Sequence, residues 1–161
     1  MRPGTIANRS GKNLEFLVVT TFGAWGIKTV LNHKDWIKNP IRPAIVKNFP
    51  LQSIYGHNSK SEFVIVLNDP AEDIRIECKW QAVGGSVDEK FPYLLACLIL
   101  AKEKKIIILL DGGGAKSNAV DWLKQNAKKA SGKVINVFNM SEFTAYVQHE
   151  FKNKEILERK V

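Results

Sequence analysis

The sequence predicts a single α/β domain with a mixed central β-sheet flanked by helices, and three observations support this. Its 161 residues suit one domain that can bury a core. Hydrophobic residues make up 45% of the chain and charged residues 25%, which is typical of globular proteins. The predicted elements run as a helix, a β-meander and then alternating helices and strands. Because no long linker or repeat divides them, we expect residues 1–161 to form one domain.

The first third of the chain is predicted to contain a helix and the first strand of the sheet. We expect residues 1–9 to form a flexible basic arm. Apolar residues then recur at helical spacing, so a helix should run from Ser10 to Gly23 or Gly26. Residues 33–43 contain two prolines and are predicted to be a connector. A short strand at residues 44–47 and a loop up to residue 60 should follow.

The rest of the chain alternates between strand and helix signals. Runs rich in Val, Ile and Phe predict strands, Gly- and Asp-rich stretches predict turns, and residues 152–161 form a basic tail that we expect to be flexible. The predicted strands are residues 61–68, 73–81, 104–110 and 132–138, and the predicted helices are residues 86–102, residues 115–130 and a last one from residue 141.

The net charge of +8 is unevenly distributed along the chain. Residues 1–60 carry +7, residues 61–110 carry −2 and residues 111–161 carry +3. An acidic centre between basic flanks suits an enzyme that holds a polyanion and recruits a cation to it. A basic isoelectric point is also common in proteins that bind no nucleic acid, so both interpretations stay open here.

Several classes of protein do not fit the sequence. Its apolar runs are too short to span a bilayer, so we expect no membrane segment. The first residues lack the apolar core of a secretory signal, so we expect a cytoplasmic protein. Cys78 and Cys97 fall in a predicted strand and a predicted helix, and we expect buried thiols rather than a disulfide or a metal pair.

The stretch IRIECKWQ, residues 74–81, alternates apolar and polar residues without a break. A period of two places Glu77, Lys79 and Gln81 on one face of the strand and an apolar stripe on the other. A tight turn between residues 70 and 71 would pair residues whose numbers sum to about 141. Glu62 would then lie opposite Lys79 and diagonal to Glu77, within reach of a shared ion.

This set of side chains fits the hydrolysis of a phosphodiester. Carboxylate oxygens from Glu62 and Glu77 are ligands that Mg²⁺ prefers, and Mn²⁺ should substitute. Such an ion lowers the pKa of a bound water and neutralises charge on phosphate. Lys79 could orient that water or stabilise developing charge, and Gln81 could hydrogen-bond the water or a phosphate. The alternative is an ordinary cross-strand Glu–Lys pair, which is common on exposed sheets and contributes only a few tenths of a kcal/mol.

These residues resemble the PD-(D/E)XK nuclease superfamily, which has the restriction-endonuclease-like fold. In SEFVIV and IRIECKWQ, Glu62 matches the first acidic position and Glu77-x-Lys79 the second, with Gln81 matching a following Gln. The resemblance further implies a supporting acid at Glu15 and a metal contact from the Cys78 backbone carbonyl. Flanking stretches are similar to a small, uncharacterised branch from bacteria and phages. Residues 10–125 carry the resemblance.

The sequence departs from the family pattern at the first acidic position. No Pro-Asp precedes the E-x-K, because Glu stands at position 62. Asp69 and Asp73 lie at or beside the predicted turn, too far along the strand to share an ion with Lys79. A Glu can ligate Mg²⁺ through its longer side chain.

Other polar residues are candidate contacts to DNA. DGGGAKS lacks the residue order of a phosphate-binding P-loop, but Lys116 and Ser117 at a helix start could touch a phosphate. His57 and Lys60, shortly before Glu62, are further candidates.

The sequence and the resemblance together predict a Mg²⁺-dependent endodeoxyribonuclease that acts on DNA as a homodimer, since a duplex has two strands. Two other functions remain open. One is a catalytically inactive DNA-binding or assembly module with the same fold. The other is a metal-independent protein-interaction domain, which would show no steep salt dependence of DNA binding.

Overall fold

A six-stranded mixed sheet forms the centre of the domain in the computed structural model, which describes residues 3–152 and the side chains from residue 11 onward. The strands lie in the sheet in their order along the chain. They are β1 (Lys28–Val30), β2 (Ala44–Gln52), β3 (Asn58–Val66), β4 (Ile74–Trp80), β5 (Lys105–Asp111) and β6 (Val134–Phe138). Strands β2, β3 and β4 are antiparallel neighbours, whereas β1 runs parallel to β2 and β4, β5 and β6 run parallel. The predicted mixed α/β architecture is confirmed.

Helices cover both faces of this sheet. They are α1 (Pro3–Gly23), α2 (His33–Lys38), α3 (Val87–Ile99), α4 (Ser117–Ala127) and α5 (Met140–Phe151). Helices α1 and α5 pack their apolar residues, among them Val18, Phe22 and Phe143, on one face. Helices α3 and α4 pack on the opposite face through residues such as Phe91 and Leu123. Within residues 3–152, no helix combines the length and the apolar character needed to cross a membrane.

The first helix begins earlier than its apolar periodicity predicts. Residues 3–9, which we expected in a basic arm, belong to α1. Proline is favoured in the first turn of a helix, where its missing N–H costs nothing. Ile6 is the one large apolar residue in this stretch, so there is no periodic signal to find. The predicted flexible tail, apart from Lys152, lies outside the described residues.

The region between α1 and β3 also differs from the prediction. Strand β1 has three residues, too few for a periodic signal, and α2 begins after Asn32, whose side chain accepts a hydrogen bond from the Asp35 N–H. Strand β2 continues through Pro50 instead of ending at residue 47. Because β1 pairs with β2 only as far as Val46, Pro50 lies where β2 has a partner on one side only, a position at which sheets tolerate proline.

The register of β3 on β4 is shifted by two residues from the prediction. Phe63 pairs with Ile76 and Val64 with Arg75, so paired numbers sum to 139 rather than 141. The 3₁₀ turn Pro70–Glu72 makes the connection longer than a tight hairpin. A shift of two keeps every side chain on its predicted face. Ile74 and Ile76 therefore face α1 and α5, as the alternation predicts.

Candidate active site

The β3–β4 ladder stops just before the predicted acidic residues. Its last pair is Phe63 with Ile76, after which β4 continues alongside β5 to Trp80. The Cys78 N–H therefore bonds to a side chain of β3 instead of its backbone: it donates a hydrogen bond to Glu62 Oε2 at 3.0 Å. This bond holds the Glu62 carboxylate against β4 where the two strands separate.

Lys79 lies among the oxygens that the sequence analysis assigned to a metal. Its Nζ is 3.0 Å from Glu77 Oε2, 3.7 Å from Glu62 Oε1 and 3.4 Å from the Cys78 carbonyl oxygen. The structure thus brings together Glu62, Glu77, Lys79 and the Cys78 carbonyl. The predicted position of Glu62 directly opposite Lys79 is wrong by two residues, but its long side chain still reaches the ammonium group.

Burial sets the protonation behaviour of this cluster. Burial, and then the charge of Glu77, raises the pKa of Glu62 to about 7, although Lys79 opposes the change. Burial alone would lower the pKa of Lys79, but Glu77 and Glu62 outweigh it and raise that pKa. Burial also raises the pKa of the Cys78 thiol. A charged lysine thus lies between two carboxylates, one of which holds its proton up to near-neutral pH.

The oxygen donors of the cluster fit a hard divalent cation. Glu77 is 3% exposed, and its Oε1 is buried with no hydrogen-bond partner among the described residues. An unpartnered buried carboxylate oxygen costs free energy that a bound cation would recover. Within the described part of the chain no three His, Cys, Asp or Glu side chains form a metal cluster. A pair of carboxylates beside a backbone carbonyl is a set that suits Mg²⁺, which takes few protein ligands.

Gln81 follows Lys79 by two residues and lies where two loops pack tightly together. Its backbone and side chain bond to residues 111–114: its N–H donates to the Asp111 carbonyl, its Nε2 donates to the Gly114 carbonyl, and its own carbonyl accepts from the Gly114 N–H. Gln81 Oε1 is buried without a partner among the described side chains. The structure gives Gln81 no hydrogen bond to Glu77 or Lys79, so its predicted supporting role stays a prediction.

Two of the three glycines after β5, Gly112 and Gly114, permit this close approach. A Cβ on Gly114 would lie 2.4 Å from the Val83 nitrogen, and one on Gly112 would lie 2.4 Å from the Gln81 carbonyl oxygen. Gly112 also has a φ of 109°, which favours glycine. The segment DGGGAKS therefore packs against the residues that directly follow β4 and holds them in place.

Glu15 is near the cluster but is paired elsewhere. It lies on α1, and its Oε2 accepts a hydrogen bond from Lys47 Nζ at 3.0 Å. Its negative charge contributes to the raised pKa of Cys78, which places it within electrostatic range of β4. Its supporting role remains a prediction.

The predicted DNA contacts fall into two separate places. His57 and Lys60 are exposed on the β2–β3 hairpin, and Lys60 lines the same cleft as Glu62. Lys116 and Ser117 are exposed at the start of α4, where the Lys116 N–H faces Asp88 Oδ2 at 3.4 Å. An acidic side chain at this helix start disfavours a phosphate there.

Helix α3 contributes residues that the sequence analysis did not assign to the site. A cleft of about 230 Å³ contains Glu62, Glu77 and Lys79, and its other wall comes from α3. The α3 residues on this wall are Lys90, Tyr93, Leu94 and Cys97. Tyr93, Leu94 and Cys97 follow Lys90 by three, four and seven residues, which places all four on one helical face. This periodicity is the signal that could have revealed them.

Comparison with known proteins agrees with this geometry. A model of the PD-(D/E)XK nuclease superfamily domain matches residues 6–151. A search of curated proteins and a search of solved structures each returned no match. Members of this superfamily are in general nucleases that use divalent metal ions, so the match points to nuclease activity in general. With an acidic residue on one strand and an E-x-K on the next, converging as described, the chain belongs to the PD-(D/E)XK nuclease superfamily.

Proposed function

We propose that the protein is a Mg²⁺-dependent endodeoxyribonuclease that hydrolyses DNA phosphodiester bonds. The observation that carries the proposal is the position of the Lys79 ammonium within 3.7 Å of oxygens from Glu62, Glu77 and Cys78. Nucleases of this superfamily assemble such oxygens and a lysine at a strand edge. The basic flanks of the chain suit a polyanionic substrate.

Glu62, Glu77 and the Cys78 carbonyl would hold the ion. When bound, Mg²⁺ neutralises charge on the phosphate and makes a coordinated water more acidic. Lys79 remains protonated at neutral pH, so it donates hydrogen bonds to the attacking water or to a phosphate oxygen as negative charge builds up there. Gln81 and Glu15 would support this arrangement from either side.

The test is plasmid cleavage in Mg²⁺, Mn²⁺ or EDTA by wild type, Lys79→Ala and Glu77→Gln. We expect cleavage only with a divalent ion, and a loss of at least about 10²-fold in each variant. Lys105→Ala is a matched control, because Lys105 is 29% exposed against 30% for Lys79 and also pairs with a glutamate. It lies at the opposite end of the sheet, at the start of β5.

Cleavage that survives EDTA, or that is unchanged in Lys79→Ala, would contradict the proposal. DNA binding without any cleavage would instead favour a catalytically inactive module with the same fold. We further propose that the enzyme acts as a homodimer, one active site for each strand of a duplex. Analytical ultracentrifugation with and without DNA tests this, and a monomer that cuts both strands at one site would contradict it.

A further inference from the structure

Two exposed tyrosines stack on each other at the rim of the candidate active site. Tyr55 is in the loop between β2 and β3 and is 68% exposed, and Tyr93 is on α3 and is 44% exposed. Their ring centroids are 5.7 Å apart at an interplanar angle of 27°. Because Tyr55 is mostly in solvent and Tyr93 partly so, both rings keep exposed aromatic surface that a ligand can contact.

This pair lies directly beside the proposed catalytic residues. Tyr93 lines the same cleft as Glu62, Glu77 and Lys79, and Tyr55 extends the aromatic surface outward from it. Lys60 and Lys90 also line the cleft and are exposed. The rim therefore combines an aromatic surface with positive charge, which favours an anionic ligand that carries flat rings over an apolar protein surface.

The loop that carries Tyr55 is held in place by its own hydrogen bonds. The buried hydroxyl of Ser53 accepts hydrogen bonds from the N–H groups of Tyr55 and His57. The Ser53 N–H donates to the His57 carbonyl, and Gly56 has a φ of 75° that closes the turn. Since the loop is already ordered, a ligand that stacks on Tyr55 pays little additional conformational entropy.

Bases in a duplex are covered on both faces by their neighbours, whereas an unpaired base has a face free to stack on an aromatic side chain. We propose that Tyr55 and Tyr93 form a stacking platform for an unpaired base next to the scissile phosphate, so that the enzyme selects DNA with single-stranded segments. This inference rests on the proposed nuclease function and names its substrate class. Lys60 and Lys90 would contact the flanking phosphates.

The experiment compares the affinities for a short single-stranded oligonucleotide and a blunt duplex of the same sequence. Fluorescence anisotropy is measured at one fixed salt concentration, with Ca²⁺ in place of Mg²⁺ to limit cleavage. We expect Tyr55→Ala and Tyr93→Ala each to weaken single-strand binding about tenfold, with less than about a twofold change for the duplex. Tyr55→Phe and Tyr93→Phe keep the ring and should retain wild-type affinity.

Phe16→Ala is the matched control, because Phe16 is 70% exposed on α1, which covers the other face of the sheet. The Phe16→Ala variant should bind both the single strand and the duplex with wild-type affinity. Equal losses for single strand and duplex, or no loss in either Ala variant, would overturn the stacking platform while plasmid cleavage by wild type still supports the nuclease function. A wild-type protein that neither binds nor cuts DNA would overturn both.

Discussion

Replacing Lys79 should make the free energy of unfolding depend more strongly on pH, because the two carboxylates around Lys79 lose their shared partner. In Lys79→Met, Glu77 loses its partner at 3.0 Å and Glu62 loses one at 3.7 Å, while Glu77 remains 3% exposed. Opposite charges about 4 Å apart attract by about 4 kcal/mol at an effective dielectric constant of about 20. The desolvation of Lys79 and its 30% exposure offset part of this attraction. We therefore expect Lys79→Met to lower the free energy of unfolding by about 2 kcal/mol.

The size of this loss should increase with pH. The pKa of Glu62 is raised from 4.5 to about 7 in the folded protein. Stability linked to this group is therefore fully present below the unfolded pKa and is lost as the pH rises through about 7. Without Lys79 the pKa of Glu62 should rise further, because Lys79 no longer opposes the repulsion by Glu77. The variant should be less stable than wild type at both pH values, because Glu77 loses its partner at each, and the loss should be clearly larger near pH 8, where Glu62 is also ionised.

Urea denaturation in EDTA at these two pH values measures the effect, with the m-value as a check on two-state unfolding. Lys105→Met is the control: among the described residues Lys105 pairs with a single carboxylate, Glu72, so the loss of stability should be small and nearly independent of pH. A Lys79→Met protein as stable as wild type near pH 8, or one with equal losses at both pH values, would refute this account of the cluster.

Three further outcomes follow from the structure. Glu62→Gln should raise the free energy of unfolding near pH 8 by about 1–3 kcal/mol and change it little near pH 5; an equal change at both would contradict the raised pKa. Gly114→Ala should lower the melting temperature, because its Cβ would lie 2.4 Å from the Val83 nitrogen, whereas Gly84→Ala has open space and should be neutral. Phe22→Ala should cost about 3–5 kcal/mol in urea denaturation, since Phe22 is fully buried between α1 and α5; a loss below about 1 kcal/mol would contradict this packing.

Much of the fold was predictable because its signals are local. The apolar runs of β5 and β6 and the helical periodicity of α4 and α5 each arise within one segment. Strand β1 and the start of α1 were not predictable, because three residues, or a turn with one apolar side chain, produce no periodicity. They form where neighbouring elements and a favourable first turn stabilise them.

The candidate site was predictable where it depends on one strand and not where it depends on several. Tyr93 and Lys90 enter the site because α3 forms a wall of the cleft that also contains Glu62, about thirty residues earlier in the chain. Gly112 and Gly114, which follow β5, pack against Gln81, some thirty residues earlier in the chain. Such long-range contacts have no local pattern to indicate them.

The sequence by itself determined which face of β4 carries Glu77 and Lys79, because a period of two leaves an extended strand no other choice. Only the tertiary structure decided that Glu62 meets them. That contact requires β3 and β4 to separate beyond the Phe63–Ile76 pair, on the side of Glu62, so that the carboxylate can occupy the gap and accept a hydrogen bond from the Cys78 N–H. Strand separation depends on the length of the connecting turn and on the pairing of β4 with β5, neither of which is encoded in the alternation of one strand.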